Sequence, residues 1–411
     1  MNSVQGPLTL AEPASEVLQP MSEQSVMRSL VILGWTAPMV PFARRVHSAG
    51  VRVHLIEQVS KPRRFLRPSS AVERGGIVLE WPEVGAMHGL GTVQQFAQDV
   101  AADALISSDD YTLTWLGNNR GGFEPTRKVM APDAATLKRL WDKVHQTKRA
   151  EQSGFNILPS WNIGAAKQIE DIPDAAFPVV IRPSFPDSCS PMFKAQVLKT
   201  REDLRRFYGG ITWSHPAIVG QFCMGPNYVL HGMRSETGAI LALHLFRAYR
   251  KYNGFVASLE PAPMQPDLAQ AACRFVLEEG LTGPFHFDLI ANEANGKVYF
   301  LEINCRLGGT TAKVAHLGYD EPGALLAAFN LSTPLPLPPL DRYTRTTSIS
   351  LNLHQAYGEF RNRRDPLAYP RVSRFRSFTN AVSESLMIKD GSFQASDPIA
   401  LLRQLGWRGK G

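Results

Sequence analysis

The sequence predicts an α/β protein of two or three domains, on three observations. At 411 residues the chain is longer than one ordinary hydrophobic core supports. From Arg28 onward, short apolar runs alternate with stretches of helical periodicity, the pattern of strands and helices packed in layers. Residues 281–311, LTGPFHFDLIANEANGKVYFLEINCRLGGTT, hold two runs rich in Phe, Leu, Ile, Val and Tyr on either side of Asn295-Gly296, a β-hairpin signal.

Composition narrows the class. Apolar residues make up 44%, as in a soluble globular protein. No run approaches the roughly 20 apolar residues of a membrane span, and the N-terminus lacks the basic start and apolar core of a signal peptide. The four cysteines are scattered without a C-x-x-C, which fits a reducing cytoplasm and argues against a zinc site or a disulfide framework. A net charge of +7 suits anionic partners, nucleotide phosphate among them. No Lys/Arg block or interleaved aromatic stripe marks a nucleic-acid surface.

The elements follow in order. Residues 1–27 lack sustained periodicity and read as a flexible leader. Ser29–Leu33 is a short buried strand, 38–49 a helix ended by Gly50, and Val51–Ile56 a second strand. This opening resembles a Rossmann-like domain, here 28–130, but its turn, Gly34-Trp35-Thr36, is not G-x-G-x-x-G. Glu57 accordingly reads as a strand-end carboxylate rather than a ribose acid. Strands at 77–80 and 104–107 and a helix near 92–102 complete this domain. The loop Ser107-Ser108-Asp109-Asp110 leaves a strand's C-terminal end, where α/β sheets place ligands, and suits a helix N-cap equally well.

Residues 133–153 read as one helix with Asp133 as N-cap, Leu137, Leu140, Trp141 and Val144 at helical spacing, and Gly154 at its end. Phe177–Pro183 is a buried strand that delivers Arg182 at its end. A loop with Ser184, Ser188 and Ser190 follows, then a strand opened by Lys194 and a helix over Arg201–Tyr208. Ala217–Phe222 and Ile240–Tyr252 are strands, and 266–280 is a helix. After the hairpin come a helix at 322–331, a stiff Pro334–Pro339 connector, a strand over Thr344–Leu353, an Arg-rich loop at 361–376 and a helix at 397–405.

In the hairpin, parity decides the faces. Asp288 shares a face with His286 and Ile290, while Val298, Phe300, Glu302 and Asn304 share a face of the second strand. A two-residue Asn295-Gly296 turn would put Glu302 opposite in face to Asp288. A three-residue loop, Ala294-Asn295-Gly296, pairs Asp288 directly with Glu302 and puts Gly296 at the left-handed position such loops require. The second register is expected. Directly opposed carboxylates repel, and a hard cation such as Mg²⁺, which takes oxygen ligands, supplies a reason for them.

The order Asp288, hairpin, Glu302-x-Asn304-x-Arg306, then Gly308-Gly309, resembles the metal-binding end of the ATP-grasp superfamily, of the carboxylate–amine ligase type. The resemblance covers about 28–335. It implies a Rossmann-like N-terminal domain, a two-lobed ATP-grasp core over 131–335 with a lid lobe at about 150–216, and a small C-terminal extension, 336–411. It implies that Asp288, Glu302 and Asn304 hold Mg²⁺ on the ATP phosphates and that Arg306 faces the transferred phosphoryl group or an acyl phosphate. Lys143 sits where the family places a lysine reaching the nucleotide, although it reads equally as a solvated helix lysine. Arg182 stands in the place of the family's phosphate-binding lysine. It can bind phosphate bidentately but is bulkier and planar, and Lys194 could substitute. Gln221, Phe222 and Cys223 resemble the adenine hinge. Asn227 occupies the position of an acid that commonly binds ribose. Arg250 corresponds to an arginine that closes over the phosphates or grips a substrate carboxylate.

The function implied is ATP-dependent ligation of a small-molecule carboxylate to an amine, with no specific nucleic acid and no membrane span. A homodimer, the commonest assembly, is admitted. Two alternatives stand beside it: a non-catalytic ATP-binding protein, motivated by Arg182 and Asn227, and a basic polyanion- or membrane-associated protein, motivated by the charge and the Arg-rich tail.

Overall fold

The computed structural model of the chain describes residues 24–59, 66–80, 89–186, 188–252, 254–361, 367–390, 397 and 399–400. Its N-terminal part is a parallel sheet with flanking helices. The strands are β1 (Ser29–Leu33), β2 (Arg52–Val59), β3 (Ile77–Glu80), β4 (Ala104–Ser107) and β5 (Lys128–Met130), in the order β3-β2-β1-β4-β5, and every pairing is parallel. Helices α1 (Met39–Ser48), α2 (Leu90–Asp99) and α3 (Asp110–Asn118) connect them. α1 buries Met39, Phe42, Ala43 and Val46, spaced as one helical face. At its start α3 is capped by Asp109, whose carboxylate accepts the Thr112 N–H at 2.9 Å. Order begins before Arg28: Ser25–Val26 pairs with Leu331–Ser332, and Met27 is fully buried. Residues 25–27, expected within the leader, are thus part of the fold, and the rest of the expected leader, 1–23, lies outside the described residues.

The helix expected over 133–153 is two. α4 (Ala134–Trp141) and α5 (Lys143–Ser153) break at Asp142, whose side chain accepts the Val144 N–H and starts the second helix. The Lys143 N–H, turned out by the break, donates to the Ser184 carbonyl at 3.0 Å.

The segment expected to be the lid lobe is a four-stranded antiparallel sheet of β6 (Ser160–Ile163), β7 (Val179–Pro183), β8 (Gln196–Leu198) and β9 (Ala217–Gln221), in the order β8-β7-β9-β6. Helix α6 (Arg201–Gly209) covers it over Ile163, Val179, Ile181, Leu204 and Val219. The lid sheet runs from 160 to 221, later than expected, because Asn156–Ile157 belongs to the larger sheet.

That sheet is built on β10 (Asn227–Arg234), β11 (Ile240–Tyr252), β12 (Phe255–Ala262), β13 (Gly283–Ala291) and β14 (Val298–Asn304), with α7 (Pro266–Glu279) between β12 and β13. Two two-residue strands of the C-terminal extension, β15 (Thr346–Thr347) and β16 (Lys389–Asp390), extend it to the order β16-β15-β12-β11-β10-β13-β14, and Asn156–Ile157 pairs in parallel with the far edge of β14. On one face Phe275, Phe285, Phe287, Leu289, Phe300 and Ile303 form the core with Phe155. Burying each such side chain contributes about 2 kcal/mol. On the other face lie the glycine turn at 308–309, α8 (Thr311–Ala315) and α9 (Glu321–Ala328). The strand expected over Thr344–Leu353 survives only as β15. Ser348 caps a helix there, α10 (Ile349–Phe360), and α11 (Arg374–Met387) follows. Of the Arg-rich loop, 362–366 lie outside the described residues, as does most of the helix expected at 397–405.

Candidate functional site

The acid pair forms in the expected register, by a different route. The turn is four residues, 293–296, closed by Asn292 N–H to Lys297 O at 2.9 Å. Near the turn Leu289 faces Phe300, and a bulge then shifts the register so that Asp288 faces Glu302 and His286 faces Asn304. The bulge also moves Phe300 onto the core face beside Phe287, at 6.2 Å between rings, so Phe300 does not share the face of Glu302 as strict alternation required.

Rows of side chains cross the sheet from this pair. Asn304, His286, His231 and His244 form one row, and Glu302, Asp288, Val229 and Phe246 the next. Asn304 Nδ2 donates to Asp288 Oδ2 at 3.3 Å. Burial and the neighbouring Glu302 charge push the Asp288 carboxyl well above the usual range. Burial pushes Glu302 in the same direction, but Lys143, Arg182 and Lys194 outweigh it and hold that carboxylate low. Lys143 Nζ stands 3.6 Å from Glu302 Oε2. Burial lowers the Arg182 guanidinium against the pull of Glu302. Lys194 lies before β8 and not at its start; its ammonium stacks over the Phe255 ring at 5.0 Å, so the lid reaches the β11–β12 turn. Three cations from three elements thus converge on one end of the hairpin.

The donor set fits a hard divalent cation. It is oxygen-rich, and burial with the Glu302 charge raises the Asp288 carboxyl against the pull of Lys194, His231 and Arg306, a cost that a cation between the two acids would relieve. Among the described residues no three His, Cys, Asp or Glu side chains gather into a self-sufficient metal cage.

Arg306 is gripped by the N-terminal domain: its Nε and Nη2 donate to the two Asp110 carboxylate oxygens at 2.7 and 2.9 Å. In the Ser107–Asp110 loop Asp109 is the helix cap, as one of its two readings expected, and Asp110 holds Arg306. A cavity of about 60 Å³ lies between Asp110, Trp141, Lys143, Gln146, Glu302 and Asn304.

Other expected residues are placed elsewhere or committed. The Gln221 and Phe222 N–H groups donate to the Pro159 and Pro178 carbonyls at 2.9 and 3.0 Å, so of the hinge trio only Cys223 is left to offer an N–H to a base edge. Asn227 Oδ1 accepts from Lys251 Nζ at 2.7 Å. Arg250 does not join the acid pair; it is buried against Glu384 of α11 at 3.1 Å. Ser188 is spent on its own turn, donating to Phe185 O at 2.8 Å.

Sequence reasoning missed Lys251, Gln146 and a buried histidine–glutamate network. Gln146 Oε1 accepts the Ile303 N–H at 3.1 Å and so joins α5 to the ligand strand. His231 lies 2.8 Å from both Glu321 Oε1 and Thr310 Oγ1, and both ionisable partners are fully buried. Its ring stacks on His286 at 5.4 Å. Burial, with His231 and Arg306 nearby, keeps His286 well below its ordinary pKa. Gly308 rides on that ring: a Cβ there would come within 3.0 Å of it. A histidine two residues before Asp288 was the one signal for His286 in the sequence, and nothing local marked His231, whose partners lie 79 and 90 residues further on.

No protein-family model matches the sequence, and no curated protein matches it. Solved structures do. N5-carboxyaminoimidazole synthetase from Staphylococcus aureus, in complex with ADP, is similar at a TM-score of 0.57 and 12% identity, over 77% of this chain and 80% of that one. L-amino acid ligase from Bacillus licheniformis is similar at 0.56 and 14% identity, over 78% and 76%. The biotin carboxylase domain of Hydrogenobacter thermophilus 2-oxoglutarate carboxylase, in complex with MgADP, ADP and bicarbonate, is similar at 0.57 and 12% identity, over 74% and 70%. The described sheets, and these likenesses over three quarters of the chain, give this protein the ATP-grasp fold.

Proposed function

We propose that the protein is an ATP-dependent ligase that joins a carboxylate to an amine through an acyl phosphate, releasing ADP and phosphate. The observation that carries this reading is the Asp288–Glu302 pair with Lys143, Arg182 and Lys194 converging on it. Like charges are set side by side at a cost, and a nucleotide with its cation offsets that cost.

A carboxylate resists an amine because it is anionic and has a poor leaving group. Transfer of the γ-phosphoryl group to it creates a leaving group, and the protein's part is positioning and charge neutralisation. Asp288, Glu302 and Asn304 would hold Mg²⁺, which when bound draws negative charge off the phosphate oxygens. Arg182, Lys143 and Lys194 would bind phosphate oxygens from the lid side. Arg306, turned by Asp110, would face the acyl oxygen. Cys223 would read the adenine edge, and Asn227 with Lys251 would meet the ribose. Lid contact with the β11–β12 turn keeps water from the acyl phosphate.

The test is ADP release by the purified protein with Mg²⁺–ATP and pooled carboxylates, bicarbonate included, against pooled amines. Release that needs both pools and disappears in Glu302→Ala supports a ligase. ATP binding without release in any pool favours the non-catalytic reading, which the commitment of Arg250 to Glu384 and of Asn227 to Lys251 motivates.

A further inference from the structure

The C-terminal helices are built inside out. α10 and α11 run antiparallel: β16, which follows α11, pairs with β15, which precedes α10, and Gln355 Nε2 donates to Ser377 Oγ in the first turn of α11 at 2.7 Å. The residues they turn inward are small or polar, namely Asn352, Gln355, Ala356, Gly358, Ser377 and Ala381. Their large apolar side chains point out. On α10 these are Leu353, Tyr357 and Phe360, spaced i, i+4, i+7. On α11 they are Phe375, Phe378, Val382 and Leu386, spaced i, i+3, i+7, i+11. Both are the seam spacing by which one helix packs against another. A helix whose outer face met water would carry the reverse pattern.

The area is that of an interface. Between 36% and 82% of each of these residues is exposed, on the order of 100 Å² apiece and roughly 700–900 Å² together. The largest apolar patch on a typical monomer is about 300–600 Å², whereas a stable protein–protein interface takes about 800 Å² from each partner.

We infer that this face pairs with the same face of a second copy of the chain, as an isologous four-helix bundle. A two-seam hairpin is matched by another two-seam hairpin, and an isologous contact needs the one patch only. The charge layout fits one arrangement. Arg361, Arg374 and Arg376 lie at the end where α10 finishes and α11 begins, while the exposed residues in the middle and at the far end of the two helices include no Asp, Glu, Lys or Arg. Pairing the hairpins antiparallel across a two-fold axis sends the two basic ends to opposite ends of the bundle. Parallel pairing would set them side by side. The dimer anchors to the catalytic lobe through α11, since Glu384 binds both Arg250 and the Ser258 hydroxyl of β12.

Sedimentation velocity of the full chain at low-micromolar concentration tests this. The wild type should sediment as a dimer. Phe360→Glu and Leu386→Glu, at opposite ends of the face, should each weaken association by about 100-fold or more and give monomers with unchanged thermal unfolding. A monomeric wild type overturns the inference, as does a dimer that survives both substitutions. A monomer that co-sediments with phosphatidylserine vesicles and is released by Leu386→Glu would overturn it in favour of a membrane surface.

Discussion

Glu302 is held ionised by cations from α5, β7 and the loop before β8, while Asp288 is pushed toward its neutral form by burial and by Glu302; on the proposed reading a bound cation completes the pair. Glu302→Gln should leave Lys143 and Arg182 without their counter-charge and lower Mg²⁺–ATP affinity by about 100-fold, measured by calorimetry. Lys251→Ala should weaken nucleotide binding less, about 10-fold, since it removes one hydrogen bond that orients Asn227. The acid pair was legible because strand parity and a glycine-bearing turn are local. Lys251 was not, because its partner is 24 residues away on another strand and nothing in the run YRKYNG separates it from a solvated lysine. Arg250, its neighbour, drew attention instead and proves to be committed to Glu384 of the extension.

Elements hold these side chains in place through two devices that local pattern could not disclose. The break at Asp142 aims Lys143 at Glu302 and docks the Ser184 carbonyl. Neither Gly nor Pro marks it, and the Lys143 N–H that the break turns out finds its acceptor in a loop 41 residues away, at the Ser184 carbonyl. The hairpin bulge lets Phe300 and Ile303 both face the core while Glu302 and Asn304 face the site; a single parity rule cannot produce that. Two predictions belong here. Gly225→Ala puts a methyl 1.9 Å from the Ala291 carbonyl oxygen, so it should displace the hinge, cost about 2 kcal/mol in thermal unfolding and weaken ATP binding. Glu321→Ala strands His231 in a fully buried site and takes the acceptor from Thr311; it should cost about 3–5 kcal/mol in denaturant titration. In contrast, α1, β4 and α6 were readable to within a residue or two, since apolar spacing and caps sit inside the segment itself.

The whole molecule is tied together from its ends. The apolar core runs unbroken from Val31 and Leu105 of the first sheet to Phe285 and Phe287 of the last, and Asp110–Arg306 spans the same boundary at the site. Asp397, buried near the end of the chain, binds Arg44 Nε, the Ser69 hydroxyl and the Ser70 N–H. Burial raises its pKa, but these partners outweigh burial and bring it down to about 2. A depressed carboxylate stabilises the fold above its unfolded value near 4, and that contribution fades as pH falls toward 2; it is worth about 2 kcal/mol at neutral pH. Asp397→Asn should therefore lower the melting temperature at pH 7 and match the wild type at pH 2. The domain order was legible at this scale because the alternation of strand and helix periods is global. The integration of the extension was not: β15 and β16 are two residues each, and their place in the sheet depends on partners elsewhere in the fold.

The central claim is that the hairpin acids hold the cation that brings ATP to this chain. Calorimetric titration of ATP with and without Mg²⁺, in the wild type and in Glu302→Ala, tests it most directly. Tight binding that needs Mg²⁺ and is lost in the variant is the predicted result. ATP affinity indifferent to both the cation and Glu302 would contradict it.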